Sequence, residues 1–199
     1  MSKRNKIIIL VCSLIVITLT IMELFFNKTL TDIDLLISNS IWSLRNDKLV
    51  LIMNGISFLG GVEFMIVMSV IIMIIERNIL FGIGISINTL INKIFKLTIR
   101  RDRPSNILII DNEYSFPSGH SMASMFLYGY IIYKIKKSKM NNNLKRLLII
   151  ILSLLILLIG FSRLYLGAHY LSDILCGYSF STILLIIFIY ISNKNASFR

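Results

Sequence analysis

Long runs of apolar residues constrain this 199-residue chain more than any other feature of its sequence. Six runs come close to the length that a helix needs to cross the hydrocarbon core of a bilayer. They lie at roughly residues 7–26, 51–75, 79–97, 121–133, 147–161 and 174–191. Because lipid offers no hydrogen-bond partners to an open backbone, these runs predict six transmembrane helices in an all-α polytopic protein.

The composition agrees with this interpretation. Hydrophobic residues make up 56% of the chain, charged residues 16%, and the mean hydropathy is +0.80. A soluble domain carries about 25% charged residues, so the sequence predicts a single membrane domain over residues 1–199. We expect Gly55, Gly60 and Gly61 to interrupt the second run, and the fourth run is short.

The net charge of +11 indicates how the chain is oriented in the membrane, and does not indicate a nucleic-acid partner. No basic helix stands clear of the apolar runs, so nucleic-acid binding is not predicted. The basic residues concentrate in three segments without acidic neighbours: Lys3, Arg4 and Lys6; Lys134, Lys136, Lys137, Lys139, Lys145 and Arg146; and Lys194 and Arg199. Six spans put these segments on one side, so both termini of this multi-pass cell-membrane protein are predicted to be cytoplasmic.

Between the first two runs, residues 27–50 are more polar. An amphipathic helix on the membrane surface, with Trp42 as an interfacial anchor, is one interpretation. A polar loop is the other.

Histidine and cysteine are scarce. His120 and His169 are the only histidines, while Cys12 and Cys176 lie in apolar runs at opposite depths of the predicted bundle. This spacing predicts neither a disulfide nor a metal site. No cofactor and no obligate protein partner are predicted.

Three polar patterns stand out from the apolar background. They are KLTIRRDRP at residues 96–104, PSGH at 117–120 and SRLYLGAHYLSD at 162–173. In the predicted topology all three lie at the ends of spans on the non-cytoplasmic side. We therefore expect them to form one site at that face of the membrane.

The site would hold an anion. Lys96, Arg103 and Arg163 place three cations at the edge of hydrocarbon, where an unpaired charge is costly. A phosphate group suits two arginine side chains and a lysine. Asn92 and Arg100 lie on the same face as Lys96 if the helix continues, and they are expected to support the site.

The remaining polar residues suggest chemistry on that phosphate. Ser118-Gly119-His120 opens a helix whose N–H groups can hold phosphate oxygens. His169 precedes Asp173 by four residues, about one helical turn, so the carboxylate can hold one ring nitrogen and leave the other free to attack phosphorus. His120 then suits the general acid, and no metal is required.

These patterns resemble the signature of the type 2 phosphatidic acid phosphatase (PAP2) superfamily. The resemblance implies a haloperoxidase-like helical bundle in which His169 is the nucleophile, His120 the acid and Asp173 the orienting carboxylate. It further implies that Lys96, Arg103, Ser118, Gly119 and Arg163 bind phosphate. The short chain is most similar to bacterial members, which implies a hydrolase acting on undecaprenyl diphosphate for cell-wall synthesis, with phosphatidylglycerophosphate or phosphatidate as the alternative substrate.

Two other classes of function stay open. A lipid-phosphate binder or flippase would use the three cations without chemistry, although binding alone needs no carboxylate-oriented histidine. An oxidase with vanadate in the same pocket is typical of related soluble proteins, whereas this chain is mostly membrane span.

Several further polar or aromatic residues have no assigned role. Glu23 and Glu63 are predicted near the outer interface, where a functional and a structural interpretation are equally open. Headgroup selection is a candidate role for the charged residues of the outer loop, which are Arg101, Asp102, Asp111 and Glu113. Tyr114 and Phe116 either rim the entrance or are ordinary interfacial aromatics.

Overall fold

A computed structural model describes residues 1–109 and 113–196 and contains eight α-helices in this part of the chain. They are α1 (Lys3–Phe25), α2 (Asn27–Trp42), α3 (Asp47–Phe58), α4 (Val62–Glu76), α5 (Leu80–Ile99), α6 (Gly119–Lys137), α7 (Asn142–Tyr165) and α8 (Leu171–Ala196). The described residues contain no β-strand, so the predicted all-α fold is confirmed. Asp111 of the outer loop and Arg199 of the basic tail lie outside the described residues.

Five segments of the described chain are long and apolar enough to cross a membrane. They are Lys3–Phe25, Asp47–Glu76, Leu80–Ile99, Asn142–Tyr165 and Leu171–Lys194. Most of the surface of each segment is not covered by the rest of the protein. Such apolar surface is stable only against lipid, so the chain is a membrane protein.

Helix α6 differs from these five apolar segments because it packs against other helices on several sides. It has 19 residues and packs against α5, α7 and α8. Serines and tyrosines lower its hydropathy, and most of these side chains are buried against neighbouring helices. A helix surrounded by protein does not need an apolar surface for lipid. The prediction of six spanning helices is therefore close, with five apolar spans around one more polar central helix.

The second predicted span is broken at Gly60 and Gly61, as expected, whereas Gly55 lies inside α3 and does not interrupt it. α3 ends at Phe58 and α4 begins at Val62, with a turn over Leu59–Gly61 between them. A Cβ atom at Gly60 would lie 2.5 Å from Ile159 Cγ2 and 3.3 Å from His120 Cδ2. The absence of a side chain at this break therefore gives the ring of His120 its space.

Residues 27–42 form the amphipathic helix rather than the polar loop. The buried residues of α2 recur every fourth position, at Leu30, Asp34, Ser38 and Trp42. Trp42 is not the predicted interfacial anchor, because it is buried and its Nε1 donates to the Leu164 carbonyl at 2.9 Å. Trp42 thus packs against protein and not against the membrane interface. Helix α2 extends across the ends of α7 and α8.

One end of the bundle collects the ends of α5 and α7 and the beginnings of α6 and α8; we call it the site end. Here the Ser118 backbone N–H donates to the Asp173 carbonyl at 3.0 Å. At the opposite end, Tyr133 Oη donates to Asn193 Oδ1 at 2.8 Å. Because Glu23 near the end of α1 lies at the site end, the beginning of α1 lies at the opposite end, together with the end of α8.

Aromatic side chains pack the helices together below the site. The rings of Phe81 and Tyr130 lie 4.6 Å apart, and those of Phe126 and Phe188 lie 5.5 Å apart. These contacts join α5, α6 and α8 through their side chains. The two helices that begin at the site end, α6 and α8, therefore share one packed core with α5, which ends there.

Close packing at Gly177 generates a stability prediction. A Cβ atom there would lie 2.8 Å from the Ser118 carbonyl oxygen, which belongs to the backbone and has little room to move. Gly177→Ala is therefore expected to force α8 away from α6 and to destabilise the protein by about 1–3 kcal/mol. Thermal unfolding of the purified protein in detergent measures this loss.

Gly55→Ala is the matched control, because a Cβ atom at that helical position meets nothing within 4 Å. It should leave the unfolding temperature unchanged or raise it slightly, since alanine favours helix by about 1 kcal/mol over glycine. Equal effects of the two substitutions would contradict the packing explanation.

Candidate active site

The eight residues singled out in the sequence all lie at the site end. Lys96 lies in the last turn of α5 and Arg103 in the connection that follows, while Arg163 lies in the last turn of α7. Ser118 caps α6, and Gly119 and His120 form its first turn. His169 lies in the short connection between α7 and α8, and Asp173 lies in the first turn of α8. The antiparallel course of the helices thus brings the three sequence patterns together.

His169 and Asp173 are in contact, although not across a turn of helix. His169 Nδ1 lies 3.5 Å from Asp173 Oδ2, and both side chains are buried. His169 precedes α8, and the same Oδ2 atom accepts the Tyr170 backbone N–H at 2.9 Å. Asp173 therefore reaches back over the helix start in the manner of a capping box. The predicted pair forms through this cap rather than through the helical spacing expected from the sequence.

Arg103 determines which nitrogen of His169 carries the proton. Arg103 Nη1 lies 3.2 Å from His169 Nε2 and also donates to the Ala168 carbonyl at 2.6 Å. A guanidinium group can only donate, so Nε2 presents its lone pair to Arg103. The proton of a neutral ring is then on Nδ1, facing Asp173. Nε2 is left as the basic and nucleophilic atom.

The surroundings keep the His169 ring neutral. Its pKa is lowered well below 6.5, first by burial and then by the positive charges of Arg103, Arg163 and Lys96. Burial and each of these positive charges disfavour the protonated form of the ring. At neutral pH His169 is therefore unprotonated at Nε2, which is the state that nucleophilic attack requires.

The other two cations are buried and already engaged. Lys96 Nζ donates to Glu113 Oε2 at 2.7 Å, and Arg163 Nη1 donates to Ser57 Oγ at 2.8 Å. The hydrogen bond from Lys96 is also the main reason why the pKa of Glu113 is lowered. The Glu113 side chain is 66% exposed and occupies a position on Lys96 that an anionic substrate group can take. The outer-loop carboxylate thus competes for the lysine that was predicted to bind phosphate.

The beginning of α6 offers two backbone donors. Ser118 Oγ accepts the hydrogen bond from Ser121 N at 3.4 Å, and the Ser118 N–H is bound to Asp173. Because α8 uses this N–H, it is not available to a ligand, and phosphate binding by Ser118 stays a prediction. Within residues 1–109 and 113–196, the N–H groups of Gly119 and His120 have no acceptor. They point out of the positive end of a helix, where anions bind.

Comparison with known proteins agrees with this geometry. The model of the PAP2 superfamily matches residues 77–197. Phosphatidylglycerophosphatase B of Bacillus subtilis is 34% identical over 142 residues, which cover 67% of this chain and 70% of that protein. The chain belongs to the PAP2 superfamily. Its predicted class as a phosphatase, and hence a phosphoric ester hydrolase, is confirmed.

Two crystal structures show the same fold. The first is the transmembrane PAP2-type phosphatidylglycerolphosphate phosphatase from Bacillus subtilis, with a TM-score of 0.83, 27% identity and coverage of 94% of this chain and 96% of that one. The second is Aquifex aeolicus LpxE, with a TM-score of 0.66, 21% identity and coverage of 78% and 94%. The predicted PAP2-type helical bundle is therefore confirmed along nearly the whole chain.

Some residues near the PAP2 patterns have other positions than expected. α5 ends at Ile99, and Arg100 adopts a left-handed backbone conformation with its exposed side chain bound to the Leu97 carbonyl. It does not support the site as predicted. Asn92 does, because its Nδ2 donates to the Pro117 carbonyl at 2.9 Å. Phe116 is fully buried beneath the loop and does not rim the opening.

Arg101 is the residue that sequence reasoning missed. It was expected in the outer loop, yet it is only 5% exposed and it pairs with Asp173, Asp34 and Glu23. Glu23 was the available signal, since an acid inside an apolar helix needs a partner of opposite charge. The sequence did not indicate which of the many basic residues that partner is.

The neutral state of His169 generates a prediction about pH. NMR titration of the His120→Gln protein, labelled with ¹⁵N-histidine, follows His169 alone because the chain has two histidines. The ring is expected to titrate below pH 6.5, and removal of one cation in Arg163→Gln should raise its pKa. The His169 pKa is lower in the folded than in the unfolded protein, so the unfolded protein binds a proton first as the pH falls. The free energy of unfolding should therefore fall as the pH drops below 6.5. Titration at or above this value would contradict the cation cluster as described.

Proposed function

We propose that this chain is a metal-independent membrane lipid phosphatase, with His169 as nucleophile, and that phosphatidylglycerophosphate is its principal substrate. The observation that carries the mechanism is the orientation of His169, with Nδ1 toward Asp173 and Nε2 toward Arg103. The substrate is inferred from the Bacillus subtilis relative named phosphatidylglycerophosphatase B. Undecaprenyl diphosphate, the first choice from the sequence, has no such support and becomes the alternative together with phosphatidate.

The first chemical step transfers the phosphoryl group to the protein. His169 Nε2 attacks phosphorus, and the bond from phosphorus to the lipid oxygen breaks. His120, which is protonated while the anionic phosphate group lies beside it, donates that proton to the lipid oxygen, so phosphatidylglycerol leaves as an alcohol and a phosphohistidine remains. Asp173 stabilises the positive charge that develops on the His169 ring through Nδ1–H.

The second step regenerates the protein. His120, now neutral, removes a proton from water, and the resulting hydroxide attacks phosphorus. The bond from phosphorus to Nε2 breaks, inorganic phosphate leaves, and His169 regains its lone pair. Lys96, Arg103 and Arg163, with the N–H groups of Gly119 and His120, hold the phosphate oxygens in both steps.

The basic connection between α6 and α7 supports the proposed orientation. It lies at the end of the bundle opposite the site, together with the beginning of α1 and the end of α8, and its basic residues favour the cytoplasmic side. The site then faces the non-cytoplasmic side. A lipid reaches it from that leaflet, with its tail left in the membrane and its headgroup at the three cations.

Phosphate release from purified protein tests the proposal. The panel contains phosphatidylglycerophosphate, undecaprenyl diphosphate and phosphatidate, each in detergent with EDTA, and compares wild type with His169→Ala. Wild type is expected to release phosphate fastest from phosphatidylglycerophosphate, and His169→Ala should lose at least about 10³-fold, because no other group can form the intermediate.

Three other results of the panel are informative. Faster release from undecaprenyl diphosphate would restore the substrate first chosen from the sequence. Loss of wild-type activity in EDTA would overturn the metal-independent mechanism. Binding of these lipids without release from any of them would favour a binder or flippase.

The separate roles of the two histidines give another prediction. An aryl phosphate such as p-nitrophenyl phosphate has a leaving group that needs no proton, so His120→Gln should still complete the first step. The second step lacks its base and should slow by about 10²–10⁴-fold. Stopped-flow absorbance is expected to show one equivalent of nitrophenol released in a burst. His169→Ala should show no burst, and a burst in that variant would contradict the assignment of the nucleophile.

A further inference from the structure

Arg101 lies at the centre of a buried cluster of charges behind the proposed nucleophile. Its Nη1 is 2.7 Å from Asp173 Oδ1, its Nη2 is 2.9 Å from Asp34 Oδ2, and its Nε is 3.0 Å from Glu23 Oε2. All four side chains are at most 8% exposed. One guanidinium group thus joins α1, α2 and α8.

Arg101 controls how the Asp173 carboxylate is turned. Oδ1 is held by Arg101, which leaves Oδ2 for the Tyr170 N–H and for His169 Nδ1. The terminal torsion of an aspartate side chain is otherwise broad. The Arg101 guanidinium carbon lies 4.3 Å from the centre of the Tyr170 ring, which packs against it. Rotation of the carboxylate away from His169 would break the contact with Arg101.

Arg101 is itself held in place by the two acids of the N-terminal helices. Asp34 Oδ1 accepts the Ser172 N–H at 3.0 Å, so this acid is anchored to the start of α8. Glu23 approaches from α1 and forms an ion pair with the Nε atom, without the geometry of a hydrogen bond. Each side of the guanidinium fork has its own carboxylate, an arrangement that an arginine allows and a lysine does not.

The cluster is also unbalanced in charge. Among the described residues, Arg101 is the only lysine or arginine that pairs with Glu23, Asp34 or Asp173. Three carboxyl groups share one cation, so Arg101 does not serve Asp173 alone. An ionised Asp173 then keeps part of its negative potential at the side of His169 that becomes positive as it attacks phosphorus.

We propose that Arg101 is a positioning residue, which acts through Asp173 on His169 and is held by Glu23 and Asp34. This inference rests on the proposed role of His169 as nucleophile. It adds that α1 and α2 tune the reactivity of that histidine, although neither helix touches the substrate.

Kinetics and the NMR titration of His169 together test this proposal. Arg101→Gln is expected to lower kcat by about 10–100-fold with little change in KM, because it disturbs an orienting group and not a phosphate ligand. Removal of the cation should also raise the pKa of His169. Glu23→Gln and Asp34→Asn, which remove a negative charge with little change in shape, should lower both kcat and that pKa.

The charged and titratable groups that face His169 from the packed elements stay the same in all these variants; they are Lys96, Arg103, His120, Arg163 and Asp173. Shifts of opposite sign would therefore report the charge of the cluster itself. Structural damage alone would not shift the His169 pKa upward in Arg101→Gln and downward in Asp34→Asn. Arg101→Lys should restore part of kcat, since it returns the charge without the three-way fork.

Arg100→Gln is the matched control, because it removes the same charge one residue away from an exposed side chain that does not contact the site. It should leave kcat and the His169 titration unchanged. If Arg101→Gln does not fold in detergent, Glu23→Gln and Asp34→Asn carry the test alone. Unchanged kcat in either of them, or an unmoved His169 titration, would overturn the proposal.

Results from His169→Ala separate this inference from the proposed function. Activity that survives His169→Ala overturns the nucleophile and the positioning role together. Activity that requires His169 but is indifferent to Arg101, Glu23 and Asp34 overturns the positioning role alone.

Discussion

Pairing of charges at the edge of the hydrocarbon is the constraint on which the rest of this structure depends. An ion that leaves water loses several kcal/mol of solvation, which only a close partner of opposite charge recovers. Lys96 meets Glu113, and Arg101 meets three carboxylates. The helices must therefore end where these partners coincide. Burial, and after it the same concentration of positive charge, lowers the pKa of His169.

The backbone contributes to the site as much as the side chains do. The Ser118 N–H is used to bind the Asp173 carbonyl, so the start of α6 is tied to the start of α8. The first free donors of α6 are then those of Gly119 and His120, one residue further along the helix. Gly177 permits this close approach of α8 to Ser118. The proposed backbone donors to phosphate and the Asp173 carboxylate are thus fixed by the same helix pair.

The sequence was informative wherever a function required a particular residue type. The convergence of the eight predicted site residues at one end of the bundle could be predicted, because their spacing places them at helix ends and helix direction alternates along the chain. Less could be predicted where tertiary contacts decide. The central position of α6 and the burial of Trp42 depend on neighbours distant in sequence. Arg101 was missed because its acids lie on α1, α2 and α8, and the pattern near Arg101 itself resembles an ordinary charged loop.

The distribution of this charge cluster along the chain has a consequence for biosynthesis. Glu23 is made first, Arg101 near the middle and Asp173 at the start of the last helix. Until α8 has entered the membrane, His169 lacks the carboxylate that orients it, and Arg101 has only Glu23 and Asp34 of its three acidic partners. On the proposed mechanism, a partly synthesised chain therefore has no active site. Lipid hydrolysis begins only when the final helix closes the bundle.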